Sequence, residues 1–243
     1  MDATCRRSAR GRTDPDRLAE ELRCAPLFQA LGDEGLEQLL PLMRERRYRA
    51  GDILFHEGDL VQSLFFLRSG AVKAFSLGSD GREQVLNILA AGDLFPHVDL
   101  MGEAVYPATA QAIDDCDGLL FPRAELRELL RQDSEFALRY GSLLVEQIRD
   151  LQARVRDLSG RDLQGRVAVA LLRLLEKENC RYSDACLLGH RRIHLTHQEI
   201  ASMVGASREA VSRVLSGLRS GGCVASGPHG VVVVDREKLL QTL

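Results

Sequence analysis

The 243-residue chain has no apolar run near the roughly 20 residues that a membrane-spanning helix requires. Its first thirteen residues, Met1 to Thr13, are arginine-rich and lack the apolar centre of a secretory signal, so a cytoplasmic location is expected. The six cysteines stand at wide, irregular intervals, which is no disulfide framework in a chain this long and fits a reducing compartment. Enzyme signatures are missing as well. There is no phosphate-cradling glycine loop, no Gly-x-Ser-x-Gly elbow and no His-Glu-x-x-His, so no catalytic activity is expected. Lysine is scarce too: Lys73, Lys177 and Lys238 are the only three, and arginine carries the remaining positive charge.

What is present implies a folded molecule of one or two domains. A hydrophobic content of 45% excludes wholesale disorder and is enough for real cores at this length. The net charge of −3 conceals an asymmetry. From Gly160 onward 12 Lys and Arg stand against 8 Asp and Glu, about +4, which leaves about −7 for the preceding residues. A basic rear half suits a polyanionic partner.

Residues 1–24 read as a basic tail and a short helix, Asp14 to Cys24, and Asp33 caps a second helix with Leu36, Leu39, Leu40 and Met43 on one face. From Tyr48 the texture changes. Short runs at Ile53–Phe55, Ser63–Leu67, Ala71–Leu77, Glu83–Leu89, Ala108–Ile113 and Gly118–Phe121 alternate with glycine turns. That spacing predicts a small antiparallel barrel or sandwich, the main part of a sensing domain over 25–130.

Helical texture begins at Glu125, and residues 131–159 carry the clearest periodicity. Leu144, Ile148, Leu151, Val155 and Leu158 recur at alternating spacings of four and three, flanked by Glu146, Arg149, Asp150 and Arg154. This is an a/d seam, expected to pair two copies in a parallel homodimer. Ser159-Gly160 interrupts it and predicts a hinge before a second domain, 160–243. That domain opens with a helix over Asp162–Lys177, and Ile193–Leu195 reads as a short strand.

The most informative stretch is Thr196 to Leu218. Thr196 followed three residues on by Glu199 is a capping box, Ile200, Ala201 and Val204 form an inner face, and Gly205 suits a left-handed turn. Ser207 caps a second helix with Ala210, Val211, Val214, Leu215 and Leu218 inward. This is a helix-turn-helix. Arg208, Glu209, Ser212 and Arg213 project from the first two turns of its second helix, the part that enters a major groove. Arginine there can bond guanine O6 and N7, and Glu209 can accept from cytosine N4. Double-stranded DNA is therefore the expected partner. After Gly221-Gly222, Cys223–Ser226 and Val231–Val234 flank a glycine-rich tip, a β-wing that completes a winged helix.

From about Leu27 to the C-terminus the chain resembles the Crp/Fnr family of bacterial transcription regulators. The resemblance rests on Ala-Ser-Arg208-Glu209-Ala-Val-Ser-Arg213, which carries Arg, Glu and Arg at the offsets of the catabolite-activator branch. Ser212 stands where Fnr-type members also carry serine. It implies an α+β fold: an N-terminal cyclic-nucleotide-binding-like β jelly roll, a long dimerisation helix and a C-terminal winged helix-turn-helix. It also implies palindromic operators with half-sites of TGTGA or TTGAT type, the first favoured by Arg208, and RNA polymerase as a further partner of an activator.

The sensing domain departs from the well-known branches. Cyclic-AMP-binding members carry a Glu for the ribose and an Arg-Ser pair for the phosphate. This chain has Phe95-Pro96-His97-Val98 and Tyr106-Pro107-Ala108 at those places, so cyclic AMP is not expected. Phe95, His97, Tyr106, Pro107 and Ala108 are the candidate effector-pocket residues, and the effector is an unidentified small molecule or redox signal. An iron–sulfur cluster is not expected either. Cys5 and Cys24 are far apart, and Cys116 stands a few positions before the Fnr-type central ligand. The alternative is a haem- or metal-dependent gas or redox sensor with His97 as ligand, by likeness to haem members with a histidine one residue later. A loop holding Cys180, Cys186, His190 and His194, with His197 beyond it, suits zinc or thiol chemistry by residue type but matches no strong finger spacing, so no metal site is assigned. An effector in the barrel would bias the packing of the seam and reorient the winged helix about Ser159.

Overall fold

The computed structural model describes residues 15–23, 28, 32–79, 81, 83–178, 195–227, 230–233 and 235–243. Two helices lead in, α1 (Pro15–Arg23) and α2 (Gly32–Leu39), and a single 3-10 turn, Leu40–Leu42, delivers the chain to the first strand. Eight strands follow: β1 (Arg44–Tyr48), β2 (Ile53–Phe55), β3 (Ser63–Ser69), β4 (Ala71–Leu77), β5 (Glu83–Ala90), β6 (Leu94–Phe95), β7 (Thr109–Ala112) and β8 (Cys116–Pro122). They form two four-stranded antiparallel sheets ordered β1-β8-β3-β6 and β2-β7-β4-β5. This is the jelly roll that the resemblance implies. β1, the run Arg44-Glu-Arg-Arg-Tyr48, is a strand that the apolar pattern does not reveal. It is an edge strand with four of its five residues exposed, and its charge is well suited to discouraging further pairing.

The barrel is filled by aromatic and aliphatic side chains from both sheets. Phe28 stacks on Phe121 with centroids 4.9 Å apart, and Phe66 meets Phe28 edge-on at 6.1 Å. The turn at Gly70 has φ 87°, and a Cβ there would lie 2.6 Å from both Cys116 Sγ and Asp115 O. Glycine is therefore required for β3 to turn into β4 against β8. Cys116 is buried, its thiol directed to the carbonyls of Asp114 and Ala71, and burial pushes it up to about 12.

The helical segment after the barrel is divided. α3 (Arg123–Gln132) ends at Asp133, whose carboxylate accepts from the N–H groups of Glu135 and Phe136 and so caps α4 (Ser134–Gly160). Apolar periodicity does not register this break, because a cap is a local hydrogen-bonding event. α4 is 27 residues long and ends at Gly160, after which Arg161 is extended. Asp162 then receives the N–H of Gly165 at 2.8 Å, and α5 (Leu163–Glu178) begins.

The remaining elements are α6 (His197–Val204), α7 (Arg208–Ser220), the hairpin β9 (Val224–Gly227) with β10 (Gly230–Val233), and α8 (Arg236–Leu240). α8 was not anticipated; Asp235 caps it and its Leu239 is fully buried. Ile193 and His194 lie outside the described residues. Leu195, expected at the end of a strand there, is a buried residue of irregular backbone leading into α6.

Buried residues form two clusters, and the second crosses between the two parts of the chain. It joins Phe75, Val85 and Ile88 of the β4–β5 pair to Val167 and Leu171 of α5, Ile200 and Val204 of α6, and Val211 and Leu215 of α7. The register shift between Ala74 and Phe75 places one extra residue, Leu86, on β5, so that Val85 and Ile88, three residues apart, both join this cluster. The outer surface of β5 is thereby covered by α6 and α5.

Candidate nucleic-acid interface

The helix-turn-helix is built from local rules. The Thr196 hydroxyl accepts from Glu199 N–H at 3.2 Å and donates to the Glu199 carboxylate at 2.8 Å, and the same carboxylate accepts from Thr196 N–H at 2.7 Å. The capping box is complete. Gly205 takes φ 63°, ψ 48°, and the N–H of Ala206 returns to the Ala201 carbonyl, closing the turn. Ser207 accepts from Ala210 N–H and starts α7. One face of α7 is locked down by Val211, Leu215 and Leu218, all buried among α5, α6 and the hairpin.

The opposite face is open. Arg208, Glu209 and Arg213 are exposed on successive turns. Ser212 differs from the expectation drawn above. It is half-buried, and its hydroxyl lies 2.8 Å from Nδ1 of His197 across the helix pair. Thr196 and Ser207 act first as caps. The Thr196 O–H is committed to Glu199, while the Ser207 oxygen accepts. The hairpin beside them pairs Val231 with Ser226 and Val233 with Val224; its tip, Pro228 and His229, and Val234 lie outside the described residues. Cys223, Val224 and Val231 pack into the helical core, so the hairpin is anchored next to α7.

The seam residues separate into two sets. Ile148, Leu151 and Val155 are exposed on α4, whereas Leu144 is half-buried and packs against the barrel core. Leu158 lies in α4, but its side chain is outside the description. Leu138 and Val145 extend the exposed stripe and were missed. Their heptad spacing was the available sign, masked because Gly141 interrupts the apolar run.

In the barrel, three of the five candidate pocket residues are core. Phe95 stacks on Phe65 at 5.6 Å, Phe65 meets Phe55 at 5.2 Å, and Phe55 stacks on Tyr106 at 3.9 Å with the rings 12° from parallel. The Tyr106 hydroxyl donates to the Ser63 carbonyl at 3.1 Å, and burial raises its pKa. Ala108 is buried, Pro107 is exposed and His97 is half-buried. β6 ends at Phe95, so strand alternation does not decide where His97 points. Beyond it, Asp99 accepts from the N–H groups of Met101 and Gly102, which hold its carboxyl below the usual range, and Arg123 donates to the Gly102 and Asp99 carbonyls.

Cys5, Cys24, Cys180, Cys186, His190 and His194 lie outside the described residues. Among the described residues no three metal-ligating side chains converge. No described helix is long and apolar enough to cross a membrane.

Two known domain families match the chain. Residues 45–133 match the cyclic nucleotide-binding domain, and residues 165–242 match the Crp-like helix-turn-helix domain. The cyclic AMP receptor protein of Thermus thermophilus is 33% identical over 91% of this chain and 98% of its own length. The cAMP-activated global transcriptional regulator Vfr of Pseudomonas aeruginosa is 36% identical over 78% of this chain and 88% of its own. Among solved structures, FixK2 of Bradyrhizobium japonicum superimposes with a TM-score of 0.70, covering 82% of this chain and 96% of that one; at 24% identity it speaks for the fold. Both of these relatives above 30% identity carry cyclic AMP in their names, which does not favour the haem or gas-sensor alternative built on His97.

Proposed function

The chain belongs to the Crp/Fnr family of DNA-binding transcription regulators, and on that premise we propose that it acts as a homodimer reading palindromic TGTGA- or TTGAT-type half-sites under the control of an effector other than cyclic AMP. The observation that carries the reading is the composition of α7. Its buried face is wholly apolar, and its open face sets Arg208, Glu209 and Arg213 on the first two turns, at the end that enters a groove. Ser207, at the N-terminus of α7, accepts from Ala210 and keeps its hydroxyl hydrogen for a phosphate alongside, whereas Thr196 gives both its N–H and its O–H to Glu199 and would reach a phosphate only by releasing that cap.

Dimerisation is supported by the stripe Leu138, Val145, Ile148, Leu151 and Val155, which a second copy would cover. Two helix-turn-helix units related by a two-fold axis would then address half-sites about one turn of DNA apart. Arg161, between the end of α4 and the Asp162 cap, is the natural pivot for reorienting the DNA-binding unit when the barrel changes state. Contact with RNA polymerase, as an activator in the cytoplasm, completes the proposal.

The case against cyclic AMP is steric and electrostatic. Tyr106 and Pro107 replace the phosphate-binding pair, and the Tyr106 ring is stacked into the barrel with its hydroxyl already given to Ser63. Arg123, the arginine that reaches the neighbouring loop, is engaged with the Asp99 and Gly102 carbonyls. A phosphate there would be buried without its cation. Titration calorimetry with cyclic AMP is expected to give no heat of binding, and micromolar binding would overturn this part. For the DNA reading, Arg213→Ala should weaken operator binding at least about tenfold while changing non-specific binding little. Equal losses on both would show that Arg213 contacts phosphate and not a base.

A further inference from the structure

We propose that His197 is a specificity-determining positioning residue: through its contact with Ser212 it decides which hydrogen-bonding group the recognition helix offers to one base edge. The inference rests on the reading of α7 as the base-reading helix. His197 is the first residue of α6 and Ser212 stands in the second turn of α7, fifteen positions later, yet Nδ1 and Oγ are 2.8 Å apart in a half-buried setting. Both ends of this contact are held. The Thr196–Glu199 box fixes the start of α6, and the Gly205 turn with the Ser207 cap fixes the crossing of α7.

Ser212 is flanked by groove-facing groups: Arg208 precedes it by four residues, Glu209 by three, and Arg213 follows directly. Its hydroxyl has one donor hydrogen and two acceptor lone pairs. When Nδ1 carries the lone pair, the hydroxyl hydrogen is engaged by the ring. Ser212 then presents only lone pairs to DNA, which select adenine N6 or cytosine N4 donors. When Nδ1 carries the hydrogen, Ser212 accepts from the ring and its own hydrogen is left for guanine O6, thymine O4 or a purine N7. In the first arrangement the imidazole removes the donor option; in the second it occupies one of two lone pairs and leaves the hydroxyl able to donate or accept, so it is the first arrangement that makes Ser212 selective. A serine without that partner rotates to suit whichever base edge it meets and discriminates poorly.

The test is selection of binding sites from a random double-stranded DNA library by the full-length protein and its variants. Ser212→Ala is expected to relax one symmetric base pair of the selected site. His197→Phe, which keeps a ring but no ring nitrogen, should relax the same pair about tenfold, near the low end of a single base contact. His197→Asn, which retains a polar group near the Nδ1 position, should recover part of that discrimination. The His197→Phe/Ser212→Ala double variant should lose no more than either single one. The slope of affinity against salt should stay unchanged throughout.

His197→Phe leaving that pair as sharp as in the unaltered protein would overturn the inference, as would an equal loss of affinity for every sequence. Ser212→Ala relaxing no pair would do the same, and that variant keeps the imidazole and the buried apolar face of α7, so misfolding of the ring variants cannot hide the answer. A flat profile from the unaltered protein would overturn the base-reading role of α7 itself and this inference with it. A sharp profile indifferent to His197 would overturn this inference alone.

Discussion

Replacing Leu151 and Val155 together by lysine should separate the proposed dimer while leaving each protomer folded. Leu151 is 57% exposed and Val155 62%, so each has a little over half of its burial still to gain. Full burial of such side chains is worth about 1.5–3 kcal/mol, which leaves roughly 1–1.5 kcal/mol apiece. Two copies contribute four side chains, or about 4–6 kcal/mol, and four facing ammonium groups add repulsion. At about 1.4 kcal/mol per factor of ten, the dimer should weaken by roughly a thousandfold or more. Because both positions are exposed in the protomer, its own stability should change by only about 0.5 kcal/mol per site. Sedimentation equilibrium across nanomolar to micromolar protein reads the dissociation constant, and circular dichroism verifies the fold. A variant that sediments as a dimer at the same concentrations as the parent, or binds its operator as tightly, would refute the seam. Leu144→Lys makes the contrast: it faces the barrel core, so it should lower the unfolding temperature instead.

Two further outcomes follow from local chemistry. Gly205→Ala, at φ 63°, should cost about 1 kcal/mol through the left-handed backbone although a Cβ meets nothing within 4 Å, and chemical denaturation of the pure protein would measure it. An unchanged midpoint would mean that the turn relaxes away from the left-handed conformation. Cys116 is raised from an ordinary 9.0 to about 12 by burial, so the folded thiol stays protonated where an unfolded one ionises. Its contribution to stability is therefore complete below pH 9 and lost progressively as pH rises toward 12. Iodoacetamide at pH 8.5 should label Cys116 only in denaturant that unfolds the barrel, and labelling of the native protein at the rate of a free thiol would contradict this.

Much of the helix-turn-helix was legible because its determinants are short-range. A capping box spans three residues, a left-handed turn needs one glycine, and the inward face of α7 repeats at helical spacing within a few turns. The strands from Ile53 to Leu89 were readable for a similar reason, since glycine turns punctuate them. β1 was not, because Arg44-Glu-Arg-Arg-Tyr48 is four-fifths exposed and carries no apolar alternation. Asp133 separates α3 from α4 through two hydrogen bonds, a change that hydrophobic periodicity does not record.

The amino-acid sequence by itself determined the order of the main elements, the exposure of Arg208, Glu209 and Arg213 on α7 and the family to which the chain belongs, all through patterns that nearby residues enforce. Tertiary structure alone decided three other matters. Phe95 and Tyr106 became barrel core because strands distant in sequence close an aromatic stack around Phe55 and Phe65. Phe75, Val85 and Ile88 became a shared core because α5 and α6 pack over the β4–β5 pair, where one extra residue on β5 brings Val85 and Ile88 to the same side. Ser212 turned toward His197 because the α6–α7 crossing, and no spacing along the chain, sets the 2.8 Å between them. Local propensity is readable residue by residue, whereas which faces finally meet depends on how whole elements pack.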